Sequence, residues 1–161
     1  MSVRALLYAA LAALAACSPM SADAGQKVAE TGSTRHPLSG LEVVPLTIAS
    51  AKARHAFRVE VARSDAEWSK GLMFRTAMGA NEGMIFVDRA TQPASFWMKN
   101  TVIPLDLVFI GADRRIESIA ANAVPYSLRP IPSKGAVVAI LELNGGRAAQ
   151  LGLAPGDKVS W

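Results

Sequence analysis

A single cysteine, Cys17, is all that this 161-residue chain contains, and it falls at the end of an apolar leader. A folded part without cysteine forms no disulfide, iron–sulfur cluster or thiolate zinc site, and has no cysteine nucleophile. Histidine is nearly as scarce: His36 lies in a polar stretch and His55 stands alone at the start of a strand pattern. The chain has no G-x-S-x-G, no H-E-x-x-H and no glycine-rich phosphate loop. Serine-triad, zincin and P-loop chemistry are therefore without their residues. Charge of one sign is also missing. Without Arg4 of the leader, 16 basic residues stand against 13 acidic ones, with no Lys/Arg block. Nucleic-acid binding needs a basic stripe, so no nucleic-acid partner is expected. Finally, no apolar run reaches the roughly 20 residues of a membrane span.

What is present begins with the leader. Arg4 followed by the apolar residues 5–16 fits the signal peptide of a secreted protein, assigned to 1–16. Leu14-Ala15-Ala16-Cys17 resembles the lipobox of bacterial lipoproteins, whose cysteine becomes the lipid-bearing first residue of the mature chain. Cleavage after Ala22-Asp23-Ala24 is the competing reading, but the place of Cys17 directly after the apolar run favours lipidation. Ser18 in place of an Asp leans toward the outer membrane. The expectation is a cell-envelope protein, anchored in the membrane by lipidated Cys17 and facing the periplasm. Residues 17–40 are rich in Ser, Ala, Gly and Thr without apolar periodicity, and read as a flexible tether. One domain, residues 41–161, remains; it is long enough to bury one core and shows no internal repeat.

Within that domain, residues 41–50 and 55–62 read as strands, and Ser64-Asp65-Ala66-Glu67 matches a capping box before a short helix that Gly71 stops. Residues 84–87 are a short apolar strand and 88–93 a loop. Segments 94–101 and 105–110 flank Pro104 and predict an antiparallel hairpin. A strand at 115–123 follows, then an irregular crossing over 125–135, which holds Pro125, Pro130 and Pro132. Residues 136–143 are the most strand-like run; 147–151 can make about one helical turn, and 158–161 a last strand. About eight short strands with one or two short helices predict a mainly β domain, a compact sandwich or barrel.

Polar chemistry concentrates in FWMKNTVIPLD, residues 96–106. A three-residue connection at 102–104 would set Asn100 opposite Asp106, a pairing that a one-residue slip reassigns. Such groups on a half-apolar face need partners. Asn100, Asp106 and Lys99, beside Trp97, either converge on a ligand or form an internal network. Arg75 follows the first helix, where it complements the helix dipole or clamps a carboxylate or phosphate. Glu142 shares the parity of Val138 and Ile140, so it points into an apolar layer, with Lys99 or Arg75 as possible partners. Met73, Met78, Met84 and Met98 cluster in the middle third and raise Cu(I) binding by thioethers. Met is also an ordinary core filler, and no M-x-M or H-x-M spacing occurs. No metal site and no cofactor is expected. Asp106 and Glu142 are two carboxylates that could do glycosidase-type acid–base work, although nothing in the pattern selects them. RAAQLGLAPGDKVSW at the C-terminus has local PDZ-like turn chemistry, but no carboxylate-binding loop precedes a strand.

GLMFR at 71–75, GMIF at 83–86, FWMKNTVIPLD at 96–106, and LELNGG with LGLAPGDKV at 141–159 resemble, in order, the bacterial and archaeal family known as domain of unknown function 192. The resemblance covers about residues 45–160 and implies a compact, mostly β domain, often behind a signal peptide. It implies no activity and no site residues. The functional expectation is an envelope lipoprotein, leaning away from an enzyme, whose β-domain binds a small molecule, glycan or protein near residues 96–106. Arg75, Trp97, Lys99, Asn100, Asp106 and Glu142 are the candidate ligand contacts. A carbohydrate-active hydrolase or lyase using Asp106 and Glu142, and Cu(I) binding by methionines, are the alternatives.

Overall fold

Alternating apolar residues form β1 (Val43–Ala49) and β2 (Arg54–Ala62), which pair antiparallel from Val43 with Glu60 to Ala49 with Arg54. This computed structural model describes residues 34–161; Cys17, the expected signal peptide and most of the expected tether lie outside the described residues. Leu46 and Ile48 of β1 and Phe57, Val59 and Val61 of β2 are buried on one side, the period-2 pattern of a half-buried sheet. Ser64 then caps α1 (Asp65–Lys70): its side chain accepts from the Glu67 N–H, while Glu67 accepts from the Ser64 N–H. The S-x-x-E spacing predicts this exchange. Gly71, at φ 44°, ends the helix.

The chain continues through β3 (Glu82–Phe96), β4 (Leu105–Ile110), β5 (Ile116–Ala123), β6 (Ile131–Asn144), α2 (Arg147–Leu151) and β7 (Lys158–Ser160). These strands make one sheet in the order β5-β4-β6-β3-β2-β1-β7, curled into a half-barrel. Only β2 and β3 run parallel, joined through α1. The two edges meet where Arg115 bridges Lys158. There the Ile116 N–H donates to the Asp157 carbonyl (2.9 Å) and the Val159 N–H to the Arg114 carbonyl (2.8 Å). Among the described residues the fold is thus mainly β with two short helices, as expected, and of the barrel type.

The hairpin expected across residues 94–110 does not form. β6 lies between β3 and β4 and pairs with both, Ile140 facing Phe86 on one side and Phe109 on the other. A run apolar on both faces belongs in the centre of a sheet, where each face meets a buried layer. Asn100 therefore does not face Asp106; it turns the connection 97–104 with a left-handed φ of 54°. Residues 84–96 form one strand rather than two, with the ladder to β6 slipping between Val87 and Gln92 and again between Pro93 and Ser95. Pro93 has no N–H to give at the second slip. β6 begins early enough to pair Pro132 with Ser95 inside the stretch expected to be irregular. Residues 34–40, expected in the tether, pack on the domain: Arg35 bridges Glu42, and the His36 N–H donates to the Leu41 carbonyl (2.8 Å).

Each face of the sheet carries an apolar layer. Leu46, Ile48, Val59, Ile85, Val108 and Leu141 pack inside the curl. Met84, Phe86, Met98, Leu107, Phe109 and Ile140 form a second layer on the outer face. All six residues of β4 are buried between them.

Candidate functional site

The outer layer is roofed incompletely, and the gap is a cleft of about 640 Å³. α1 supplies one wall. Trp68 lies edge-on to Phe86 (5.5 Å between centroids) and against Phe96 (5.8 Å), and the two phenylalanines meet edge to face at 5.0 Å. Such tilted contacts favour aromatic rings over parallel stacking. Leu72, Met73, Pro93 and Ala94 extend the apolar lining. Trp97 and Lys99, from the connection after β3, complete the rim. The Lys99 ammonium sits 5.2 Å from the centre of the half-exposed Trp97 ring, a cation–π contact.

Glu142 also lines this cleft. Its register places it between Met84 of β3 and Leu107 of β4, so its side chain enters the outer apolar layer with only 5% of the residue exposed. Its Oε2 is buried without a hydrogen-bond partner among the described residues. Loss of water pushes the carboxyl up from 4.5 to about 8. At neutral pH the group is therefore mostly a neutral acid, able both to donate and to accept a hydrogen bond.

The other candidates separate. Asp106 is fully buried on the inner side with Val108 and Ile110, and its carboxylate accepts the N–H groups of Asn122 (2.8 Å), Gly146 (2.9 Å) and Ala148 (2.8 Å). It fixes the turn into α2 and has no part in the cleft. Asn100 gives its carbonyl to the Phe74 N–H (2.8 Å) and points its amide at the Met73 sulfur (3.7 Å). Arg75 does clamp a carboxylate with both nitrogens, but an internal one: Glu60, at 2.8 and 3.1 Å. His36 stands 3.6 Å from Glu60 and the Ser39 hydroxyl donates to it, so the cluster fastens residues 36–39 onto β2. The structure thus brings Trp97, Lys99 and Glu142 together and leaves Arg75, Asn100 and Asp106 elsewhere.

Sequence reasoning missed Glu60, Trp68, Phe86 and Phe96. Glu60 alternates with the inward Val59 and Val61 and so looks solvent-facing. Trp68 carried the stronger signal, as the one tryptophan in a short capped helix. Of the methionines, Met84 and Met98 are fully buried in the outer layer, where they fill space.

The sequence profile of the family described as uncharacterized ACR, domain of unknown function 192, matches residues 46–161. The chain belongs to this family. No curated protein matches it. Among solved structures, a protein of unknown function from Novosphingobium aromaticivorans is 57% identical with a TM-score of 0.78, covering 79% of this chain and 91% of that one. A Sinorhizobium meliloti protein described as a candidate transcription regulator is 38% identical with a TM-score of 0.73, covering 74% of this chain and 94% of that one.

Proposed function

We propose that this family member is an envelope lipoprotein, anchored through Cys17 at the outer membrane and facing the periplasm, whose β-domain is a non-enzymatic ligand-binding module. The observation that carries the binding role is Glu142: a buried carboxyl with an unpartnered oxygen, opening on an aromatic-walled cleft of about 640 Å³. Ligand sites combine apolar walls with a few placed polar groups, and a shifted acid in a cleft marks such a place. A small molecule or one sugar unit of a glycan fits these dimensions; Trp97 offers a ring face and Glu142 a hydrogen bond. Catalysis is not supported, because Asp106 and Glu142 lie on opposite faces of the sheet and Asp106 is saturated by backbone donors. The regulator description is that of the Sinorhizobium protein, and this chain has no Lys/Arg block that would suit nucleic acid.

A fragment screen of monosaccharides and polar aromatics, read by ligand-observed NMR, tests the reading. Hits are expected whose binding weakens at least about tenfold in Glu142→Leu and in Trp97→Ala, the loss of a central contact. Hits that bind both folded variants as tightly as wild type would remove the cleft from consideration, as would a screen without hits.

A further inference from the structure

Exposed large hydrophobics gather on three connected loops. Phe74, Trp97, Val124, Tyr126 and Leu128 are all exposed. Backbone hydrogen bonds tie their segments side by side: Phe74 N–H to the Asn100 carbonyl (2.8 Å), Met98 N–H to Ser127 (2.9 Å) and Tyr126 N–H to Thr101 (3.1 Å). Phe74, Asn100 and Tyr126 hold left-handed φ angles of 63°, 54° and 60°. A non-glycine residue there costs on the order of 1 kcal/mol, so two exposed aromatics are held at a standing cost to stability. Scattered apolar residues on a surface need no explanation; a contiguous set on mutually bonded loops does.

The composition of the set matches a lipid–water boundary. Trp97 and Tyr126 stand among aliphatic residues, with Lys99 and Arg129 in the same loops, which is the make-up of segments lying at a lipid–water boundary. The N-terminal segment enters at the same place. Leu38 and Phe74 line one cleft of about 580 Å³, and Ser39 and His36 are fastened there to Glu60 and Arg75. Residues 18–33 separate Cys17 from the described chain. Sixteen residues reach at most about 55 Å even when fully extended, so an anchor at Cys17 keeps these loops at high effective concentration over the bilayer.

We propose that the loops at 74, 97–101 and 124–128 form a membrane-docking face that sets Trp97, Tyr126 and Leu128 into the headgroup–acyl boundary. This rests on the lipid-anchor reading above and adds the orientation of the domain. The test uses the lone thiol. The chain beginning at Cys17 is coupled through that cysteine to maleimide lipid in phosphatidylethanolamine–phosphatidylglycerol vesicles with brominated acyl chains, and tryptophan quenching is measured. Strong quenching is expected, falling about threefold or more in Trp97→Phe, since a boundary tryptophan is the one within reach of the bromines. A Tyr126→Ser/Leu128→Ser variant, which keeps every tryptophan, should lose quenching similarly while retaining its circular dichroism. Equal quenching in wild type and Trp97→Phe, or none in either, overturns the docking and leaves the loops to a protein partner. Because the coupling is chemical, this outcome does not depend on lipidation in the cell. Lipidation is read separately, from membrane retention of wild type and release of Cys17→Ala.

Discussion

Glu142 lies in register with Met84 on one neighbouring strand and Leu107 on the other, so ionising it places a charge in an apolar layer. Its carboxyl titrates at about 8 in the folded protein against 4.5 in the unfolded chain. Because the folded form holds the proton more tightly, Glu142's contribution to stability is fully present below 4.5, is lost as pH rises, and levels off above about 8. The slope in that window is at most about 1.4 kcal/mol per pH unit. Urea unfolding across the window is expected to show this decline in wild type and a flatter profile in Glu142→Gln; parallel profiles would contradict it. Asp106 is the opposite case, a carboxylate surrounded by backbone donors. Asp106→Ala takes the acceptor from the N–H groups of Asn122, Gly146 and Ala148, the last of them buried, and is expected to cost about 3 kcal/mol in thermal or urea unfolding, with Asp106→Asn milder. A loss below about 1 kcal/mol would mean that water replaces the carboxylate. The parity of A-I-L-E-L was enough to place Glu142 on the side of Ile140. Nothing local could place Asp106, whose partners lie 16 to 42 positions further along the chain.

Elements defined by local chemistry were legible: α1 through its capping box, β1 and β2 through alternation, β7 after Gly156-Asp157. The pairing of β3 and β4 was not, because Pro104 and a plausible register argued for a hairpin while the better partner of β4, β6, lay 29 to 39 residues away. Long-range pairing is settled by which runs can be buried on both faces, and only the assembled sheet decides that. The same limit hid the Glu60–Arg75 pair, which joins β2 to the segment after α1 and holds residues 36–39 against both. Breaking one side of a buried pair leaves an uncompensated charge, so Glu60→Gln is expected to cost about 3 kcal/mol or more. A paired Glu60→Met/Arg75→Met variant should recover much of that loss. Hydrogen exchange supplies the local readout: the His36 and Gly40 amides, bonded to Leu41 and His36, should exchange faster in Glu60→Gln. Unchanged exchange there would show that the N-terminal segment is held by other contacts.

Closure of the half-barrel depends on three residues at the end of the chain. β7 pairs with β1 through Thr47–Ser160, Ile48–Val159 and Ala49–Lys158, and meets the β5 edge at Arg115. Val159 is buried in the inner core, and the Arg114 guanidinium lies 3.7 Å over the Trp161 ring. A strand this short carries little pairing energy of its own; its importance is that it occupies the β1 edge and bridges to the start of β5. Without it, the backbone donors and acceptors of the β1 edge become a template for another chain. Removing residues 158–161 also uncovers the core around Val159, worth about 1.5–3 kcal/mol for that side chain alone. The truncated protein is therefore expected to be less stable by about 3 kcal/mol or more and to associate as concentration rises, seen as a growing mean mass in sedimentation. The milder Val159→Ala leaves the backbone in place and should lower stability by about 1–2 kcal/mol without association, separating the packing contribution from edge protection. A truncated chain that stays monomeric at wild-type stability would show that the β1 edge protects itself and that the sheet does not need its seventh strand.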